Sequence, residues 1–285
     1  MYLVQVTESP KLNVLIYGPP GIGKTWLTST AQDHPAMADI FYLNIEGGLA
    51  TVAGRGDVRA INIVGIEKFK PTAGMPGLPE NCSTLEDEFW KLAGRQGEYA
   101  SIKTVIIDSG TECQTLSLEA IVTSAIAKNK IKYKDRSPDE VYMDDYGKST
   151  AQLKRIFRWF RDLPMNVFIT ALPQMVFPKG ENLNSKNLEP LEVRPQFTAK
   201  LGEAVMGYMD MVWYMYKDNN GRHLLTQDTG KFRAKTRGMK FSQVIGPVID
   251  IRDELNPEDE GLDIPDIYDL YLEAEAPSVN NKKKK

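Results

Sequence analysis

Gly18-Pro19-Pro20-Gly21-Ile22-Gly23-Lys24-Thr25 is the stretch from which the fold is read. It has the Gly-x-x-x-x-Gly-Lys-Thr spacing of a phosphate-binding loop, and its flanks supply the context that the bare pattern lacks. Val14-Leu15-Ile16-Tyr17 ahead of it is a buried-strand pattern, and Trp26-Leu27-Thr28-Ser29-Thr30-Ala31 behind it continues as a helix. Strand, glycine-rich turn and helix start set backbone N–H groups around the positive end of a helix. Gly18, Pro19, Pro20, Gly21, Ile22, Gly23, Lys24 and Thr25 together form a cradle for the phosphates of a nucleoside triphosphate. Lys24 reaches the terminal phosphates, and Thr25 offers its hydroxyl to Mg2+.

Composition sets the bounds. The 285 residues suffice for a full α/β core. With 42% hydrophobic and 26% charged residues the chain has an ordinary soluble composition. No apolar run nears membrane-spanning length, and the N-terminus lacks the basic-then-apolar layout of a secretion signal. A cytoplasmic protein without a membrane partner is expected, its nucleotide-binding core beginning almost at once with no domain ahead of it. Cys82 and Cys113 are too few for a disulfide framework, and with only His34 and His223 beside them no transition-metal site is expected. The net charge of −3 argues against a globally basic surface, but the charges are uneven. Residues 128–136 are strongly basic, whereas 250–275 are acidic with Arg252 as the one base. The four terminal lysines, 282–285, are expected to be disordered.

Further along, residues 40–45 read as a second strand that ends at Glu46-Gly47-Gly48. Residues 64–81, rich in Pro and Gly, read as an irregular loop. Ser83-x-x-Glu86 has the form of a capping box that opens a helix through about Ala93. Residues 103–108 form an apolar strand suited to the centre of a sheet. Residues 115–128 predict a helix, 130–146 a surface loop, and 147–163 a helix with Leu153, Ile156, Phe157 and Phe160 on one face. A fourth strand at 166–171 precedes a long polar loop over 173–194 and a short helix over 200–209. The strand at 211–216 turns at Asn219-Asn220-Gly221 into 223–226. Residues 231–237 alternate basic with apolar or small residues, as a further strand would. Alternating strands and helices predict an α/β fold with a mostly parallel central sheet flanked by helices. Two parts are expected: a core over 1–250, and an acidic C-terminal segment over 251–285. In the latter, Ile264, Ile267, Leu270 and Leu272 allow a packed helix.

Asp108 ends an apolar strand downstream of the loop, where a carboxylate holds Mg2+ opposite Thr25. Ordinary AAA-type ATPases place a catalytic Glu next; here that residue is Ser109. Hydrolysis needs a carboxylate to orient water, and Glu46, at a strand end before two glycines, is the best candidate.

Gly18–Thr25, Asn44-Ile45-Glu46-Gly47-Gly48-Leu49 and Val105-Ile106-Ile107-Asp108-Ser109 together resemble the RecA/Rad-type recombinase core. The stretches 145–152 and 159–164 are more narrowly similar to phage-encoded, core-only RecA-like proteins, the Sak-type single-strand annealing recombinases. The likeness spans about residues 10–250. It implies a RecA-like P-loop NTPase core and a DNA-dependent ATPase that uses ATP and Mg2+, with Glu46 as catalytic base. It also implies a γ-phosphate sensor just beyond the strand at 166–171, where Gln174 is favoured and Thr170 is the other candidate. Two DNA-facing loops fall at about 128–146 and 175–196. The first offers Lys128, Lys130, Lys132, Lys134 and Arg136 to phosphates and Tyr133 for stacking. The second is less basic. Lys235-Thr236-Arg237 resembles the Lys-x-Arg finger that such ATPases insert into a neighbour's nucleotide site. The implied partners are single-stranded DNA and further copies of the chain, in a filament or ring with ATP at the subunit interfaces. A single-strand-binding protein is a further candidate partner, and the acidic segment is expected to compete with DNA. The implied task is annealing or strand exchange in phage recombination or replication, in the host cytoplasm. The rival reading is an AAA-type loader or remodeller acting on protein partners, and a small-molecule kinase is a third. Ser109 and the lack of a helical lid pattern weigh against the loader; the basic loop would be surplus to a kinase.

Overall fold

Strand β1 (Asn13–Tyr17) is buried at every position, which requires helices on both faces of the sheet. In this computed structural model, which describes residues 11–56, 58–70, 77–128, 135–178, 189–253, 256 and 259–275, the side chains alternate accordingly. Leu15 and Tyr17 enter one apolar core, and Val14 and Ile16 enter the other. After β1 come α1 (Lys24–Ser29), β2 (Ile40–Asn44), β3 (Arg59–Gly65), β4 (Cys82–Thr84) and α2 (Leu85–Gly94). Next follow β5 (Thr104–Asp108), α3 (Gly110–Lys128), α4 (Met143–Arg161), β6 (Asn166–Ala171), β7 (Pro173–Val176) and β8 (Glu192–Pro195). The last group is α5 (Ala199–Tyr208), β9 (Met211–Asp218), β10 (Gly221–Leu225), β11 (Lys235–Thr236), α6 (Met239–Ile245), β12 (Val248–Ile251) and α7 (Ile264–Glu275).

The main sheet runs in the order β12-β10-β9-β1-β6-β5-β2-β3-β4, with β11 also on β9. From β9 to β4 all neighbours are parallel, while β10, β11 and β12 join antiparallel at the far side. Strand β6 therefore lies between the strand that enters the P-loop and the strand that ends at Asp108. The register sets Tyr17 beside Ala171 and Asn44 beside Asp108. The carboxyl ends of β1, β2, β5 and β6 thus share one edge, where open α/β sheets bind ligands. The expected mostly parallel sheet with flanking helices is the one found.

Several local readings change. Strands β3 and β4 were not expected. β3 begins before the Pro/Gly-rich stretch read as loop, and its mixed burial hides its alternation. The cap of α2 is Thr84 rather than Ser83: its hydroxyl accepts from the Asp87 N–H at 3.2 Å and donates to the Asp87 carboxylate at 2.9 Å. Helix α4 starts at Met143, four residues early, because the Asp145 carboxylate accepts from the Tyr142 N–H at 3.0 Å. The stretch read as one long loop contains the antiparallel pair β7–β8. Of the alternating basic run, only Lys235–Thr236 forms a strand. The division placed at residue 250 falls inside β12, and α7 from the acidic segment lies on the core. Ile264 and Ile267 are fully buried there, each contributing roughly 1.5–3 kcal/mol. The Ile264 N–H also donates to Thr30 Oγ1 at 3.1 Å. No helix among the described residues is long and apolar enough to cross a membrane.

Candidate functional site

The P-loop leaves β1 at Gly18, where sterics demand glycine. A Cβ there would lie 2.3 Å from the Met215 carbonyl oxygen on β9. Gly23 caps α1 with φ of 106°, a conformation that side chains resist. Lys24 is 7% exposed and folds back over the loop, its Nζ donating to the carbonyls of Gly18 (2.8 Å) and Pro19 (2.9 Å). Burial holds its ammonium below the usual lysine range, and the carboxylates of Glu46 and Asp108 push it back up. A cation held in place over a glycine-rich loop fits a polyphosphate.

Asp108 is 3% exposed and is the hub. Its Oδ2 accepts from Thr25 Oγ1 at 2.7 Å, and its Oδ1 accepts from Thr170 Oγ1 on β6. Its backbone carbonyl accepts from the N–H groups of Ile45 (2.7 Å) and Glu46 (3.1 Å). The loop after β2 is therefore hung on the end of β5, which brings the exposed Glu46 to the same edge as Lys24. Asn44 Oδ1 accepts from the Gly47 N–H at 3.1 Å and fixes the turn. A Cβ on Gly48 would sit 3.8 Å from Thr25 Oγ1 and 4.0 Å from Asp108 Oδ2, so backbone closes that side of the pair. A hydroxyl and a carboxylate meeting at the P-loop are oxygen donors that could hold Mg2+. The Asp108–Ser109 peptide is cis.

The structure brings together Gly18–Thr25, Glu46 and Asp108. Gln174 lies on β7, where its Oε1 accepts from Arg194 Nε at 3.3 Å. Thr170, the second sensor candidate, is the residue that touches Asp108. Lys235 and Arg237 lie toward the opposite edge of the sheet. Lys235 pairs with Val212 near the start of β9, and Arg237 forms a 2.6 Å ion pair with Asp210. Burial, with Arg237 beside it, holds the Lys235 ammonium low.

Of the residues expected on DNA, Lys130, Lys132, Tyr133 and Lys134 lie outside the described residues. Lys128 ends α3 and is exposed. Arg136 is a correction: its side chain is 1% exposed. It is ion-paired with the buried Asp145, donates to the Glu140 carbonyl and sits 4.0 Å from the centroid of the Tyr142 ring. A guanidinium so engaged holds the start of α4 and is not available to phosphate.

With that geometry in view, the sequence profile of the AAA domain family matches residues 10–238. The chain belongs to the AAA domain family. The match takes in the P-loop, Glu46, Asp108 and the Lys-x-Arg pair, so this AAA domain is a P-loop ATPase unit by family. No curated protein sequence matches it. Among solved structures, the AAA domain is similar to the RadB recombinase, at 13% identity over 76% of this chain and 81% of that one, with a TM-score of 0.34. The KaiC-like protein PH0186 from Pyrococcus horikoshii OT3 shows 12% identity over 79% and 83%, with a TM-score of 0.35. A third structure, itself an ATPase domain, shows 10% identity over 80% and 77%, with a TM-score of 0.40.

Proposed function

We propose that the protein is an ATP-driven, single-strand-DNA-binding ATPase that works as a homo-oligomer in annealing or strand exchange, within phage recombination or replication. The observation that carries the ATPase reading is the Asp108 carboxylate, joined at once to the P-loop through Thr25 and to the inserted strand through Thr170. Lys24 binds the terminal phosphates, and Glu46 orients and polarises the attacking water from the loop hung on Asp108. Thr25 and Asp108 would hold Mg2+, which when bound neutralises charge on the phosphates. Gln174 lies four residues beyond Thr170 along the chain, on the hairpin of the second DNA-facing loop, a route from nucleotide to DNA. Lys235 and Arg237, set toward the edge away from their own P-loop, suit service in a neighbour's site.

For DNA the support is a groove of about 1070 Å³ between α3, α4 and the β3–β4 connection. Lys68, Lys70, Lys128, Lys148 and Arg155 line it, against Glu67. Such a surplus of cations over an apolar floor favours a single strand read through its phosphates. The test is binding of labelled oligo-dT with ATPγS, with ADP and without nucleotide, at two salt concentrations. Tight, salt-sensitive binding with ATPγS that Lys24→Ala abolishes is expected. Absence of binding in every state would overturn the DNA reading and leave a protein partner as the target.

A further inference from the structure

The turn at residues 219–220 lies at the same edge of the sheet as the P-loop, so the antiparallel strand β10 begins there before running back along β9. Along β10 the alternation puts Leu224 in the core that also holds Leu27 of α1, so Arg222, two residues earlier, shares that face. Its guanidinium lies over the loop: Nε and Cζ are 3.7 and 3.8 Å from where a Cβ on Gly23 would stand. The side chain is half-buried, yet it has no hydrogen-bond or ion-pair partner among the described residues. The two carboxylates nearest on its own hairpin and on β12, Asp218 and Asp250, are both taken by His223, at 2.9 and 2.7 Å. Beside Arg222 opens a cavity of about 840 Å³, which leaves the side chain room to turn.

A guanidinium with five N–H donors and no protein partner among the described residues leaves them to solvent, and an anion delivered to it gains a charge-assisted contact. We infer that Arg222 contacts the phosphates of the bound nucleotide in cis, from the side of the P-loop opposite to Glu46. This deepens the nucleotide-site reading and rests on it. The glycine-rich part of a P-loop cradles the α- and β-phosphates. Arg222, set against Gly23, therefore serves those phosphates, and ADP and ATP feel its loss alike.

The experiment measures the affinity of mant-ADP and mant-ATPγS for the wild type, Arg222→Ala, Arg222→Lys and Lys24→Ala, with the melting temperature of each protein without nucleotide. Arg222→Ala is expected to melt with the wild type and to bind both nucleotides about tenfold more weakly, one charge-assisted contact being lost. Arg222→Lys should recover part of the affinity. Arg222→Ala binding both nucleotides within twofold of the wild type, while Lys24→Ala binds neither, would overturn this role and leave the nucleotide site standing. A loss confined to the triphosphate would overturn it too, by moving Arg222 to the γ-phosphate. A wild type that binds neither nucleotide would overturn both readings together.

Discussion

Thr25 Oγ1 donates a 2.7 Å hydrogen bond to Asp108 Oδ2, joining the last residue of the P-loop to the end of β5. The other carboxylate oxygen is held by Thr170. Asp108→Asn keeps the shape of this hub and removes its charge. Phosphate release should fall by about a hundredfold or more, as when one electrostatic stabiliser is removed, while the melting temperature changes little. Hydrolysis at the wild-type rate would show that Asp108 does not hold the metal.

Glu46 is exposed at the same edge, on a loop fixed by its backbone, so its side chain can be changed without disturbing the core. Glu46→Gln should keep mant-ATP affinity and lower turnover by about 10²–10⁴, the range for loss of a general base. Single-turnover measurement separates the two quantities. An unchanged turnover number would remove Glu46 from catalysis.

Arg136 and Asp145 are both almost wholly buried. Replacing either alone strands a charge, so Arg136→Met or Asp145→Leu should cost about 3–5 kcal/mol in urea unfolding. The double variant should recover most of that loss. Its affinity for oligo-dT should match the wild type, since a buried, paired Arg136 is not available to phosphate.

His223 bridges Asp218 and Asp250 and so ties the β9–β10 turn to β12. Burial opposes its charged form, but hydrogen bonds and charge from the two aspartates prevail and hold its pKa above 6.5. A raised pKa in the fold means that this stabilisation is complete below the unfolded value and is lost as pH rises through the folded one. The melting temperature should therefore fall on the alkaline side of about pH 6.5. His223→Gln should flatten that slope in a pH series of thermal melts; an unchanged slope would place its origin elsewhere.

The P-loop, the strand at Asp108 and the parallel sheet were legible because each rests on a local pattern: glycine spacing, or an apolar run bounded by polar ends. Thr84 and Asp145 were harder, since Ser83 offers an equally good cap one residue earlier and only the chain path into the helix chooses between them. Strand β3 was hidden by its half-exposed place near the edge of the sheet. Arg136 stands in a row of lysines, and nothing in the row reveals that its partner lies nine residues on. Thr170 was weighed as a sensor, but its contact with Asp108 depends on β6 lying beside β5, a long-range pairing. Arg222 gave no signal at all; hairpin geometry alone carries it to Gly23.

Gly18 is commonly regarded as a nucleotide residue, yet the Met215 carbonyl leaves no room for any side chain there. Intolerance at this position therefore reports the seam between β1 and β9, and a mutational scan scored for abundance alone should already show it. Sites such as Glu46 should show no effect in that scan and emerge only when activity is scored. Two selections on one library would thus sort the motif into the glycine that lets the sheet close and the side chains that work on the ligand.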